Sequence, residues 1–186
     1  TWANDQGRIR VPLIPEAAAE GEEFNSPHWE KASPVDSFAL PRRWGGANTT
    51  TVSTELRMMR DPANLYCRIT ARDPDVAHAW AMPKAPSEAF PIGDHVEIAL
   101  RGKGGQYFFA VDCNGNAYDA RNWDRRWNSK WRVKVRKTAD AWQAIAVVPL
   151  ADLGFDPAQK DTALFGMFAR IYHHGAPKPE ESTYKG

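Results

Sequence analysis

The sequence has almost no net charge. Lys and Arg number 24 against 23 Asp and Glu in 186 residues, so no broad field gathers phosphate backbones or anionic lipids. Neither nucleic acid nor a membrane is expected as a partner. No run approaches the roughly 18 apolar residues of a bilayer-spanning helix. Thr1 to Arg10 lack the charged-then-apolar order of a signal peptide, and a mature or trimmed segment is expected. Cysteine is scarce: Cys67 and Cys113 sit in strand-like runs, away from any CxxC or Cys/His spacing of a zinc or redox site. A disulfide between neighbouring strands and two buried free thiols both remain open. There is no G-x-S-x-G, P-loop or HExxH, which removes the usual footholds for nucleophile, phosphate and zinc chemistry. Internal repeats and low-complexity tracts are also absent, so residues 1–186 read as one domain.

What is present is a chain 42% hydrophobic and 25% charged, enough for one core of ordinary size. Eight Trp are many for this length. Aromatic faces suit a sugar site as well as a core. RIRVPLI reads as an edge strand near the N-terminus. From Thr49 the pattern has period two, with Val52, Thr54, Leu56 and Met58 on one side, followed by a turn at DPAN. In LYCRITAR, Leu65, Cys67, Ile69 and Ala71 share one face, and Tyr66, Arg68, Thr70 and Arg72 share a face expected to be wet. A long stretch from Val76 to Gly93 has no period and carries Trp80 and Phe90; such loops are usually functional. DHVEIAL and QYFFAVD form a hairpin across RGKGG, with Val96, Ile98 and Leu100 inward. WRVKVRK and WQAIAVVPL form another, and LFGMFARIY is expected as the last strand before a polar tail. Only ADLG and NWDRRWNSKW look helical; in the latter Trp123, Trp127 and Trp131 recur every four residues, as a core stripe would. Many short strands, long loops and little helix predict an all-β antiparallel β-sandwich of jelly-roll or immunoglobulin-like kind.

Read in order, HWEKA at 28–32, RMMRDPANLYCRITARDPD, DHVEIAL, QYFFAVDCNGNAYDA, WQAIAVVPLADLG and FGMFARIY resemble the family 9 carbohydrate-binding modules and the wider sandwich group around them. The resemblance spans nearly the whole chain and lies in the order and spacing of the pieces. It implies a β-sandwich that holds a sugar or glycan chain end without catalysis. It also implies a secreted, periplasmic or cell-surface location, with a covalently linked catalytic domain in a polysaccharide-degrading parent. The sequence departs from the family where Ile145 replaces a common Glu. Family members also generally continue into one more strand, so an open edge or a closing strand from outside these residues is expected.

The resemblance implies two aromatic walls, one just before the D-x-V-E-I strand and one in the C-terminal segment. Here the first falls near Pro91, with Phe90 beside it and Trp80 further back, and the second falls on Tyr184. Glu97 matches the Glu that accepts sugar hydroxyls in the family, and alternation puts it with His95 on the face opposite Val96 and Ile98. Asp112, on the hairpin face of Phe108 and Ala110, matches a further polar contact, and Arg68 and Arg57 are candidates for the same side. No cofactor is required. The family admits Ca2+, for which no acidic cluster here has ligand spacing. Asp94 and Glu97, three apart, cannot flank a glycosidic bond from one strand, so catalysis is not expected. His173 and His174 are adjacent and point apart on a strand, which disfavours a shared metal. Two rivals stand beside the sugar reading. One is a structural or interaction sandwich with a degenerate sugar site. The other is a haem-b cytochrome-like domain using a His with Met58, Met59, Met82 or Met167.

Overall fold

The computed structural model describes residues 11–15, 21–39, 50–83, 89–156, 165–173 and 179–184, and the account below concerns these. They form two antiparallel sheets packed face to face, a β-sandwich with 3-10 turns in place of longer helices. The strands are β1 (Phe38–Ala39), β2 (Thr54–Arg60), β3 (Asn64–Arg72), β4 (His95–Gly102) and β5 (Gly105–Asp112), then β6 (Ala117–Arg121), β7 (Arg132–Lys137), β8 (Ala141–Pro149), β9 (Phe165–Tyr172) and β10 (Glu180–Tyr184). One sheet has the order β2-β3-β8-β7 and the other β1-β10-β9-β4-β5-β6.

Strict alternation builds the core. Leu56, Cys67, Ile69, Trp142, Ala144 and Val148 face inward from the four-stranded sheet and meet Val96, Ile98, Leu100, Phe109, Val111 and Phe168 from the six-stranded one. Both cysteines are buried and free, Cys67 on β3 and Cys113 just beyond β5, so the thiol alternative holds. The DPAN turn forms as its residues dictate: the Asp61 carboxylate accepts the amides of Ala63 (2.7 Å) and Asn64 (2.6 Å) and the Tyr66 hydroxyl (2.6 Å).

Four expectations need correction. The outer face of the β2–β3 hairpin is largely covered, with Arg72 still exposed at its end. Trp29, in the 3-10 turn Pro27–Lys31, packs with Ile14 and Phe24 on Met59, Tyr66, Ile145 and Val147, closing a second apolar layer outside the four-stranded sheet. Residues far upstream cover what local alternation leaves open. The N-terminal run touches the β2 edge through a single parallel bridge, Leu13 to Arg60, and residues 8–10 lie outside the described set. LFGMFARIY is not the last strand. The polar EESTY segment is β10, inserted between β9 and β1, and its backbone supplies ladder bonds that its side chains do not announce. Finally, NWDRRWNSKW is a loop. Asn122 and Trp123 both adopt positive φ (50° and 67°), which ends any helical stripe. Trp127 and Trp131 fold back onto Tyr107 and Phe109, whereas Trp123 turns outward.

Candidate functional site

The outer face of the six-stranded sheet carries the aromatic surface. Because Val96 and Ile98 point inward, His95 and Glu97 point outward. The β4–β5–β6 register sets Glu97 beside Ala110 and Tyr118, and Phe108 beside Ala120. Phe90 comes from the preceding loop and lies over this face. Its ring is 5.4 Å from His95 and 5.3 Å from Tyr118, both edge-on, and 5.8 Å from Phe108 at an interplanar angle of 30°. Trp123 continues the row, 5.8 Å from Phe108 and again tilted by 30°. Phe90 is 39% exposed and Trp123 75% exposed.

Polar groups border the rings. The His95 ring is fixed by Nδ1–H donating to the Gly93 carbonyl (2.7 Å), and its Nε2 lies 3.3 Å from Glu97 Oε1. Glu97 keeps part of its carboxylate open to solvent. This gives apolar faces beside a fixed hydrogen-bond acceptor, the combination a sugar ring requires.

Behind the face, Asp94 holds the loops together. Fully buried, its carboxylate accepts the amides of His173 (3.0 Å) and Trp80 (3.3 Å), its own amide donates to the Trp80 carbonyl (2.7 Å), and its carbonyl accepts from Cys113 (3.0 Å). Burial raises the Asp94 pKa, while the two amides and the nearby Arg170 guanidinium pull it back. Arg170 is itself fully buried between the sheets and donates to the carbonyls of Ser53 and Arg72. Gly93 is required here: at φ 106° a Cβ would lie 2.2 Å from the Trp80 carbonyl oxygen. Asn114 and Asn116 pin the loop from the other side by donating to the carbonyls of Ala81 and Met82.

The structure brings together Phe90 and Glu97, through His95, but not every residue singled out from sequence. Trp80 lies at the sheet's end, 48% exposed, its ring 5.4 Å from His173. Asp112 shares the outer face, yet its buried carboxylate is committed to the NGN turn, accepting the amides of Asn114 and Asn116 (both 2.9 Å) and the Asn116 side chain. Arg68 belongs to the other sheet. There its guanidinium lies 5.2 Å from the Trp29 ring centre and donates to the Phe24 carbonyl. Arg57 beside it donates to the carbonyls of Trp29 and Ala32, so both arginines anchor the N-terminal layer. Tyr184 faces inward, because Thr183 is the β10 residue in register with Ala169 and Glu97; its ring packs on Phe38 and the core.

Sequence reasoning missed Tyr118 and assigned Trp123 to the core. The alternation of AYDA, once paired with that of QYFFAVD, is the signal that places Tyr118. For Trp123 no local signal exists. As for haem, Met58 and Met59 point to opposite faces of the four-stranded sheet, and His174 lies outside the described residues. Among the described residues no group of three or more His, Cys, Asp or Glu is placed to hold a metal ion, and no helix is long and apolar enough to cross a membrane.

No family model and no curated protein matches the sequence. Solved structures do match the fold. A family 9 carbohydrate-binding module from Caldicellulosiruptor kristjanssonii, in complex with cellotriose, superimposes with a TM-score of 0.64 at 14% identity, covering 95% of this chain and 79% of that one. A family 9 module from the same organism, in complex with glucose, gives 0.54 at 16% identity, covering 94% and 81%. A Bacteroides uniformis protein gives 0.62 at 12% identity, covering 95% and 87%. At these identities the likeness is one of fold.

Proposed function

We propose that this protein binds carbohydrate without transforming it, through the outer face of the six-stranded sheet. One observation carries the reading: exposed Phe90 and Trp123 each lie against Phe108, 5.8 Å from its ring and at 30° to it, with the Glu97 carboxylate on the same face. The rings cover the C–H faces of pyranoses, and Glu97 accepts a hydroxyl. The fold shared with modules solved in complex with cellotriose and glucose supports it. Asp94, buried and bound to two amides, is no partner for Glu97 across a glycosidic bond. The same reading makes the chain a module of a secreted, periplasmic or cell-surface protein, linked to a polysaccharide-degrading domain.

A second reading has its own observation. Asp112 is committed to a turn, Arg68 to the opposite sheet and Tyr184 to the core, which favours an interaction sandwich whose sugar site has degenerated. A glycan array followed by calorimetric titration decides between them. The sugar reading expects dissociation constants in the micromolar to millimolar range, as suits a shallow site, and no release of reducing ends. An array with no bound glycan would leave the interaction reading.

A further inference from the structure

We propose that Trp123 is a separate aromatic contact on this face, so that the site takes several neutral, equatorially substituted pyranoses laid along β5 rather than one sugar. The inference rests on the carbohydrate reading above. The position of Trp123 comes from register. Tyr107 pairs with Arg121, so residue 123 lies just past the start of β5, while Phe90 sits over the other end, against His95 and Tyr118. Phe108 is between them, and the two centroid steps are 5.8 Å each. Trp123, 75% exposed, leaves indole surface open to solvent, and sugars with equatorial substituents offer C–H faces that it can cover.

The turn holds Trp123 outward in one conformation. Two successive non-glycine residues at positive φ are costly and persist only where neighbouring contacts fix them. Here Asn122 exchanges bonds with Gln106, through its own amide (2.8 Å) and through its side-chain oxygen (2.9 Å). The Asp124 amide returns to the Arg121 carbonyl (2.9 Å), and the Asp124 carboxylate is held in a fork by Arg126. A large indole, 75% exposed, is therefore pre-positioned before any ligand arrives. Charge selects further. The Glu97 carboxylate stands at the Phe90 end beside His95, so a uronic acid there would meet a like charge, and a neutral glycan is preferred.

The test is a calorimetric ladder. The protein is titrated with mono-, di- and trisaccharides of the cello, manno and xylo series, using wild type, Trp123→Ala, Trp123→Tyr and Phe90→Ala, each checked by thermal melting. In the series that binds, wild-type affinity should rise about tenfold from mono- to trisaccharide, the scale of one added aromatic face. Trp123→Ala should abolish that rise, and Trp123→Tyr should restore part of it. Phe90→Ala should weaken every member. Equal affinity for mono- and trisaccharide in wild type, or an unchanged rise in Trp123→Ala, overturns this inference and leaves sugar binding standing. Failure of wild type to bind any member of the three series overturns both.

Discussion

Tyr184 and Phe38 are paired residues of β10 and β1 whose rings meet 6.3 Å apart at 55°, at the margin of the sandwich core. Tyr184 thus seals the end of the six-stranded sheet, on the side away from Glu97. Truncating it removes an aromatic contact and exposes Phe38. Tyr184→Ala should cost about 2 to 4 kcal/mol of stability in urea unfolding, with carbohydrate affinity unchanged. A variant that melts like wild type but binds sugar more weakly would return Tyr184 to the ligand site.

The difference between what was legible in the sequence and what was not follows physical range. Alternation within one strand needs only neighbours, so the inward set of Val96, Ile98 and Leu100 and the outward pair His95 and Glu97 follow from the pattern alone. Cross-strand geometry does not. EESTY carries no apolar period because its place is held by ladder pairing with β9 and β1 and by the Tyr184–Phe38 contact. The outer side of LYCRITAR looks polar because its cover, Trp29, lies far upstream and lets Arg68 bond to carbonyls rather than to water. The four-residue spacing of tryptophans imitates a helix until two left-handed residues break it. Whether Trp123 joins the Phe90 face then depends on the β5–β6 register, which no local pattern reveals.

The two cysteines should be chemically silent. Burial pushes the Cys67 thiol up to about 12, and burial, reinforced by the charges of Asp94 and Asp112, pushes Cys113 up to about 11 against the opposing Lys137. Cys113 Sγ also faces the Ala79 carbonyl at 3.7 Å. Because thiolates are the reactive form, iodoacetamide at pH 8 should add no label to the native protein and two labels in denaturant, read by intact mass. A native singly labelled species would mean that the sandwich opens around one of the two cysteines.

Asp94 gives stability a signed pH dependence. Its carboxyl has a folded pKa above the ordinary 3.8, so between those two values the native state holds the proton more firmly than the unfolded chain. The stability it contributes therefore falls as pH rises through that window. In Asp94→Asn the term is absent, but the amide places a donor against one of the two backbone donors from Trp80 and His173. The variant should be less stable by about 1 to 3 kcal/mol. Its deficit should be largest at the acid end and shrink as pH rises, because only wild type loses stability across the window. Urea midpoints collected between pH 3.5 and 7 check this, and a deficit that grows with pH would mean that the charged form is the favoured one.

Glu97 is where affinity and stability should separate. Its carboxylate is partly open to solvent on the aromatic face and lies 3.3 Å from His95 Nε2. The His95 Nδ1–H donates to the Gly93 carbonyl, so a hydrogen bond from Nε2 to the Glu97 carboxylate needs a proton on that nitrogen too. A glutamine at position 97 can offer Nε2 its carbonyl oxygen or its amide N–H, so Glu97→Gln keeps shape, packing and a local hydrogen bond. Melting should hardly move. What the substitution removes is the charged acceptor offered to a sugar hydroxyl, and charge-assisted bonds are about twice as strong as neutral ones. Affinity for whichever glycan the array selects should fall by about 1 to 2 kcal/mol. Glu97→Ala should lose more, because it leaves His95 Nε2 without a partner and takes a hydrogen-bonding group away from the rings. Calorimetric titration beside thermal melting of the same samples reads both quantities. Loss of stability equal to the loss of affinity would make Glu97 a structural residue of β4, and unchanged affinity in both variants would move the sugar site off this face.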